Sequence, residues 1–173
     1  FMTDKDAPLR RVIAVDIEKS KDGNLVFDEV IAEAAETLED VSLVGERFFV
    51  SYLKDAQSVV KEFNLDGTFI REVKLPGIGS AGGFGGKRED METYYSFTSY
   101  ATPSTVYRYD IATGESTVYF KPKVNFNPDD FVTKQVFYKS KDGTSVPMFI
   151  TYRKGLKRNG TNATYLYGYG GFG

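Results

Sequence analysis

The sequence contains no cysteine and no histidine among its 173 residues. Without cysteine there can be no disulfide bond, iron–sulfur cluster or thiolate zinc site. Without histidine the chain lacks the commonest metal ligand and the usual general base near neutral pH. A complete Ser-His-Asp or Cys-His catalytic set therefore cannot lie within this chain. If this chain belongs to an enzyme, its active site either uses carboxylates, lysine and tyrosine or is incomplete within this chain.

An excess of one charge and long apolar runs are also absent. The chain carries 22 Lys and Arg against 24 Asp and Glu, a net charge of −2. This balance argues against a nucleic-acid or anionic-membrane partner, which would favour a basic excess. The longest apolar runs are a few residues, too short for a transmembrane helix. Charged residues at positions 4–6 stand where a signal peptide would be apolar. We expect a cytoplasmic protein; the periplasm remains the alternative, because the sequence opens at Phe1 and not at Met.

Aromatic residues are abundant and suit half-buried strands. They make up 15% of the chain, with 12 Tyr and 14 Phe. Short or alternating apolar runs, separated by turn pairs such as Asp66-Gly67, predict many strands. These runs are Val12–Ile17, Val41–Val44, Phe48–Leu53, Val59–Leu65, Phe69–Leu75, Tyr94–Phe97, Val106–Ile111 and Val118–Phe120. The stretch Ala32–Glu39 leans towards helix but lies between strands, so it predicts a loop with a helical turn.

A strand–turn–strand unit recurs along the chain. Its three copies begin at Val15, Phe63 and Tyr109, which are 48 and 46 residues apart. Each copy has an aromatic residue or Val, then Asp or Asn, an aliphatic residue, a turn and a second strand. A self-similar β unit of about 40–50 residues is typical of a propeller blade of four strands. A β-sandwich with chance similarity is the alternative.

The repeat divides the first 120 residues into blades. The second half of one blade covers Leu9–Glu29, and two whole blades cover Val41–Leu75 and Phe84–Phe120. A propeller closes with about four to eight blades, so half a blade and two whole ones cannot form a ring. Open blade edges carry unpaired backbone groups, and we expect them to favour self-association.

The pattern changes after Phe120. Residues 121–130 are polar, contain two prolines and predict an inter-domain linker. Beyond them we predict strands at Thr133–Ser140 and Val146–Tyr152, joined by a turn at Asp142-Gly143, and a last strand at Ala163–Tyr167. Residues 131–173 are therefore expected to open a second domain.

Two glycine-rich segments fit the pattern G-x-G-x-x-G. The first, Gly77 to Gly82, is not followed by a helical pattern, as a dinucleotide site would require, and predicts a flexible loop between blades. The second runs from Gly168 to Gly173, where the sequence ends before a helix could be recognised. A dinucleotide-binding domain starting at Gly168 therefore stays open as an alternative.

The C-terminal third resembles the prolyl oligopeptidase family, which joins a seven-bladed propeller to an α/β-hydrolase domain. The stretch from Tyr138 to Ile150 (YKSKDGTSVPMFI) is similar to the family's first hydrolase strands. The stretch from Tyr165 to Phe172 (YLYGYGGF) is similar to the strand end that forms its oxyanion hole. The resemblance implies a mainly β fragment: the last two to three propeller blades, followed by the opening strands of an α/β-hydrolase domain.

The resemblance also implies an activity and two site residues. Tyr169 matches the tyrosine that stabilises the tetrahedral oxyanion, and Phe172 matches an aromatic lining the pocket for the substrate proline. The parent enzyme would be a serine peptidase that cleaves short peptides after proline and needs no cofactor. Its Ser, Asp and His would follow Gly173, so we expect this chain alone to be inactive. A propeller that only binds a partner is the main alternative.

Overall fold

The structure is a computed structural model, and it describes residues 1–21 and 24–168. This part of the chain contains thirteen strands, one 3₁₀ turn and no α-helix. Every strand pairing is antiparallel. The mainly β fold expected from the sequence is therefore confirmed. Among the described residues there is no helix with the length and apolarity needed to cross a membrane.

Eleven of the strands form three sheets in which neighbours in sequence are neighbours in space. The first sheet contains β1 (Met2–Thr3), β2 (Arg11–Val15) and β3 (Phe27–Ile31). The second contains β4 (Thr37–Val44), β5 (Arg47–Lys54), β6 (Gln57–Phe63) and β7 (Phe69–Glu72). The third contains β8 (Ser80–Gly85), β9 (Glu92–Thr98), β10 (Thr105–Asp110) and β11 (Ser116–Phe120). The repeat predicted this arrangement, in which a partial blade is followed by two four-stranded meanders.

The repeated turns occupy equivalent places in the two whole blades. Gly67 follows β6, and its N–H donates to the Asn64 carbonyl at 3.0 Å. Gly114 follows β10, and its N–H donates to the Asp110 carbonyl at 2.8 Å. Both glycines have positive φ, 83° and 78°, a conformation that costs glycine little. The matching pair Asp22-Gly23 lies outside the described residues.

The core lies between the sheets. The largest cluster joins the second and third sheets through stacked rings: Phe84 stacks on Tyr95 at 4.7 Å and on Phe49 at 5.4 Å. A second cluster joins the first and second sheets and includes Leu38 and Tyr52. Face-to-face stacking of successive four-stranded sheets is the arrangement of propeller blades.

The loop expected at Gly77–Gly82 is found at Gly77–Gly79, but the rest of the segment is a strand, so that prediction is wrong in part. Strand β8 begins at Ser80 and pairs with β9. A bulge between Gly83 and Gly85 gives Phe84 a φ of 59° at a position where its ring is fully buried. A Cβ on Gly83 would lie 2.8 Å from the Tyr94 carbonyl oxygen. The glycines therefore serve close strand packing, and this segment lacks the helix of a dinucleotide site.

Two other local predictions differ from the structure. The helical turn expected within Ala32–Glu39 is absent, because Thr37 already begins β4 and pairs with Leu53. The strand expected at Ala163–Tyr167 is irregular backbone with exposed side chains. A strand needs a hydrogen-bonding neighbour, and the described part of the chain supplies none here. Strand β3 is the second strand of the first copy of the repeat, although its mixture of apolar and acidic residues did not appear among the apolar runs.

Residues after the blades form a separate hairpin. Strand β12 (Phe131–Lys139) pairs with β13 (Ser145–Arg153) over nine residue pairs, with Gly143 in the turn. A short 3₁₀ turn, Pro128–Asp130, precedes it and is capped by the Asn127 side chain, which accepts from the Asp129 N–H. The two strands agree with those predicted from the sequence.

Candidate functional site: the hairpin end of the blades

The hairpin lies at one end of the blades. Because the strands are antiparallel, successive connections alternate between the two ends of a blade. The connections at residues 55–56, 73–79 and 99–104 lie at the same end, and all three contribute residues to hollows that the hairpin also lines. We call this end the hairpin end.

A pair of side-chain amides attaches the hairpin to the second blade. The Nε2 of Gln57, in the first position of β6, donates to the Oε1 of Gln135 at 3.2 Å. The Nε2 of Gln135 donates in turn to the backbone carbonyl of Asp55. Asp55 and Ala56 both have positive φ, 48° and 63°, in the two-residue turn between β5 and β6. Such turns suit the twist of a hairpin.

An aromatic contact attaches the hairpin to the third blade. The ring of Tyr100 lies 5.5 Å from the ring of Phe149 on β13. Beside this pair is a mostly apolar cleft of about 270 Å³, lined also by Ala56, Ile78 and Thr98. Among the described residues, no charged side chain lines the cleft, so this lining offers shape and apolar contact and no acid–base chemistry.

Tyr169, predicted as the oxyanion donor, and Phe172, predicted to line the proline pocket, lie outside the described residues. The chain that leads to them, residues 154–168, has no regular structure. Its last apolar side chains are highly exposed: 87% for Tyr165, 83% for Leu166 and 69% for Tyr167. Within the described part of the chain, no group of three or more acidic side chains could hold a metal ion.

Sequence reasoning missed a buried charged cluster at the other end of the blades. Glu62 on β6 is fully buried, and its Oε2 lies 2.9 Å from the Nε of Arg71 and 2.8 Å from the hydroxyl of Tyr109. Its Oε1 lies 3.6 Å from the Nε of Arg47. Burial and the hydrogen bond to Glu62 raise the pKa of Tyr109. Nothing in the sequence of β6 indicated that the side chain of Glu62 would face the core.

Residues 1–122 match the family described as prolyl oligopeptidase, N-terminal beta-propeller domain. The chain therefore belongs to the prolyl oligopeptidase family. The resemblance inferred from its C-terminal motifs is confirmed at the level of the family.

Several relatives of this chain are named prolyl endopeptidases. The chain is 50% identical to that of Elizabethkingia meningoseptica over 99% of this chain and 24% of the relative. It is 35% identical to that of Dictyostelium discoideum, again over 99% of this chain and 24% of the relative. The chain thus spans about a quarter of the length of the relatives it matches.

Solved structures agree with the fold. A prolyl endopeptidase structure superposes with a TM-score of 0.80 at 42% identity, covering 91% of this chain and 23% of the other. Prolyl oligopeptidase B from Galerina marginata gives 0.79 at 27% identity, covering 90% of this chain and 22% of the other. Because these superpositions cover 90% or more of this chain, the matched region includes most of the residues in the three sheets and the hairpin.

Proposed function

We propose that this chain is part of a serine-type peptidase that hydrolyses short peptides on the carboxyl side of proline. The observation that carries the proposal is the Tyr-Gly-Tyr-Gly-Gly-Phe motif at 167–172, in a chain 50% identical over 99% of its length to a prolyl endopeptidase. In this account residues 1–120 belong to the propeller, 121–130 link the domains and 131–173 open an α/β-hydrolase domain.

The face of the hairpin that points away from the blades is evidence for the proposed second domain. In antiparallel pairs, directly opposed residues share a face. Gln135 and Phe149 are such a pair, and both contact the blades. The opposite face is apolar at seven of its eight positions; its residues are Val132, Lys134, Val136, Tyr138, Val146, Met148, Ile150 and Tyr152. An apolar sheet face turned away from the blades is suited to a further layer of protein.

Tyr169 is assigned the role of oxyanion donor. Its hydroxyl would donate a hydrogen bond to the negative oxygen that forms when a serine attacks the scissile carbonyl. A donor fixed in advance at that position can lower the barrier by about 3–4 kcal/mol. Phe172 is assigned to the proline pocket, where a flat apolar ring suits the pyrrolidine.

The 173-residue chain is expected to be inactive by itself. It has no histidine to move the proton from a nucleophile to the leaving amine. A chromogenic peptide with proline before the scissile amide should therefore remain intact with the purified chain. Turnover blocked by a serine-reactive reagent would contradict this assignment.

The experiment for Tyr169 uses the longer protein that contains this chain. Tyr169→Phe removes one hydroxyl and should lower kcat about 10²- to 10³-fold with little change in KM. Tyr167→Phe is the matched control, because it removes the same group two residues away. Equal effects of the two substitutions on kcat would contradict the role of Tyr169.

The experiment for Phe172 compares two peptides that differ only in proline or alanine before the scissile bond. Phe172→Ala should reduce kcat/KM for the proline peptide about tenfold or more, because apolar contact with the ring is lost. The alanine peptide should lose less. A uniform loss on both peptides would show that Phe172 supports the fold and does not select proline.

A binding propeller without catalysis is the second candidate, favoured by the cleft of about 270 Å³ at the hairpin end. It predicts further blades after Gly173 and no nucleophilic serine. The two candidates therefore differ in one observable, the post-proline cleavage by the longer protein.

A further inference from the structure

The loop that follows the hairpin contains an asparagine followed by a glycine, Asn159-Gly160. Of the six asparagines in the chain, only Asn159 has glycine after it. The backbone nitrogen that follows an asparagine can attack the side-chain carbonyl carbon, and a Cβ on the following residue hinders this approach. Glycine has no Cβ, so its nitrogen is accessible. Asn159 and Gly160 are both exposed to solvent and lie in irregular backbone.

The side-chain carbonyl of Asn159 accepts two hydrogen bonds from a single residue. The hydroxyl of Thr161 donates to the Oδ1 of Asn159 at 2.7 Å, and the backbone N–H of Thr161 donates to the same oxygen at 3.2 Å. The ring closed by the N–H bond includes both the Cγ of Asn159 and the backbone nitrogen of Gly160. The turn therefore keeps the two atoms that would react close together, which lowers the entropic cost of their reaction.

The same hydrogen bonds favour the chemical step. When the Gly160 nitrogen attacks the Cγ of Asn159, the Oδ1 becomes the negatively charged oxygen of a tetrahedral intermediate. A donor that already points at this oxygen stabilises the charge as it develops. The Thr161 hydroxyl is such a donor, so it is expected to activate the carbonyl.

Asn162 in the same loop provides an internal comparison. It is also exposed, but Ala163 follows it, and the Cβ of that residue hinders attack. The Nδ2 of Asn162 donates to the Lys157 carbonyl at 2.7 Å. This bond holds the nitrogen that would leave, whereas the bonds at Asn159 polarise the carbonyl that would be attacked.

We propose that Asn159 is a site of spontaneous deamidation, activated by Thr161. The Gly160 nitrogen loses its proton and forms a bond to the Cγ of Asn159, and the bond from that carbon to the side-chain nitrogen breaks. The side-chain nitrogen takes up a proton and leaves as ammonia. Water then opens the cyclic imide at either carbonyl, so that aspartate or isoaspartate replaces the asparagine. Either product adds one negative charge to a chain whose net charge is −2.

The test follows both asparagines of the loop in one peptide. The 173-residue chain and the longer protein that contains it are incubated in the folded state at neutral and mildly alkaline pH and then cleaved after Arg158. Mass spectrometry of the peptide that begins at Asn159 measures how fast each side-chain amide becomes an acid. Thr161→Val and Gly160→Ala are compared with Thr164→Val. Thr164→Val is the matched control, because it removes a hydroxyl that donates to the backbone carbonyl of Asn162.

We expect Asn159 to deamidate about tenfold or more faster than Asn162, and Gly160→Ala to remove most of this difference, because only glycine leaves the nitrogen unhindered. Thr161→Val should slow the reaction at Asn159 about three- to tenfold, the effect of one hydrogen bond. Thr164→Val should leave that rate unchanged. In concentrated urea the effect of Thr161→Val should disappear, because the turn is no longer held.

Equal rates at Asn159 and Asn162 in either folded protein would overturn the proposal. Equal rates at Asn159 in Thr161→Val and Thr164→Val would show that Thr161 does not activate the carbonyl. An effect of Thr161→Val that persists in urea would assign it to the local sequence and not to the folded turn. An unchanged rate in Gly160→Ala would show that water, and not the backbone nitrogen, attacks the side chain.

Discussion

The hydroxyl of Tyr109 donates a hydrogen bond of 2.8 Å to the carboxylate of Glu62 across the boundary between two blades. Both side chains are fully buried. Arg71, on the same blade as Glu62, also reaches across the boundary and donates to the carbonyls of Ile111 and Ala112 at 3.1 and 3.3 Å. The two blades are thus joined by charge and hydrogen bonding as well as by stacked rings.

Tyr109→Phe should lower the free energy of unfolding by about 1.5–3 kcal/mol, the range for a hydrogen bond to a charged group. Urea denaturation measures it. The matched control is Tyr107→Phe on the same strand, whose ring stacks on Tyr95 at 5.2 Å. The control should change stability by no more than about 0.5 kcal/mol. Equal losses for the two variants would show that the bond to Glu62 contributes nothing.

The three turn glycines should tolerate alanine to different degrees. All have positive φ, which costs alanine about 1–2 kcal/mol. A Cβ at Gly67 would lie 1.7 Å from the backbone oxygen of Val30, and one at Gly114 would lie 2.3 Å from the Nη1 of Arg71. Gly143 faces open space. Denaturation should therefore rank the losses Gly67→Ala, then Gly114→Ala, then Gly143→Ala. A Gly143 variant as damaging as the Gly67 variant would contradict the contacts.

Stability should fall at alkaline pH because buried tyrosines resist ionisation. Burial raises the pKa of Tyr52 to about 12, against about 10 in an unfolded chain. Between those values the unfolded chain loses a proton that the folded chain keeps, so the free energy of unfolding falls as pH rises. Below about pH 9 the folded and unfolded chains both keep this proton, so Tyr52 should not make the free energy of unfolding depend on pH.

Tyr52→Phe should flatten that decline, as measured by the urea midpoint between pH 9 and 12. Tyr165→Phe, which removes a hydroxyl from an exposed side chain, serves as the control. A decline of the same steepness in both variants would show that Tyr52 does not cause it.

Self-association should follow from the free face and edge of the third blade. Tyr94 and Tyr119 lie 5.0 Å apart on that blade and are 37% and 67% exposed. We expect the light-scattering mass of the 173-residue chain to rise with concentration, and Tyr119→Lys to reduce the rise. Thr161→Lys, which adds the same charge at an exposed polar position after the hairpin, is the control. A single monomeric mass at high concentration would contradict this expectation.

Alternating apolar residues predicted most of the blade strands, because half-buried strands impose that period. Strand β8 escaped prediction because its glycines carry no side-chain pattern; its pairing with β9 decides its conformation. The opposite error occurred at Ala163–Tyr167, where the described residues provide no neighbouring strand for an apolar run. An apolar pattern in the sequence therefore becomes a strand only where the fold supplies a neighbouring strand to pair with it.

The site was less predictable than the fold. Tyr169, assigned to the oxyanion, and Phe172, assigned to the proline pocket, came from a motif and lie outside the described residues. The Gln57–Gln135 contact joins residues 78 positions apart and left no pattern in the sequence. Glu62 was equally hidden, since its partners Arg71 and Tyr109 belong to different strands. Pairwise contacts of this kind depend on how the blades stack.

The most direct measurement is the coding sequence beyond the codon for Gly173. Our account predicts a serine in a Gly-x-Ser-x-Gly context within about the next hundred codons, followed by an aspartate and then a histidine. Further blades without such a serine, or a stop codon at that point, would contradict the account. The catalytic role of Tyr169 would then have to be withdrawn.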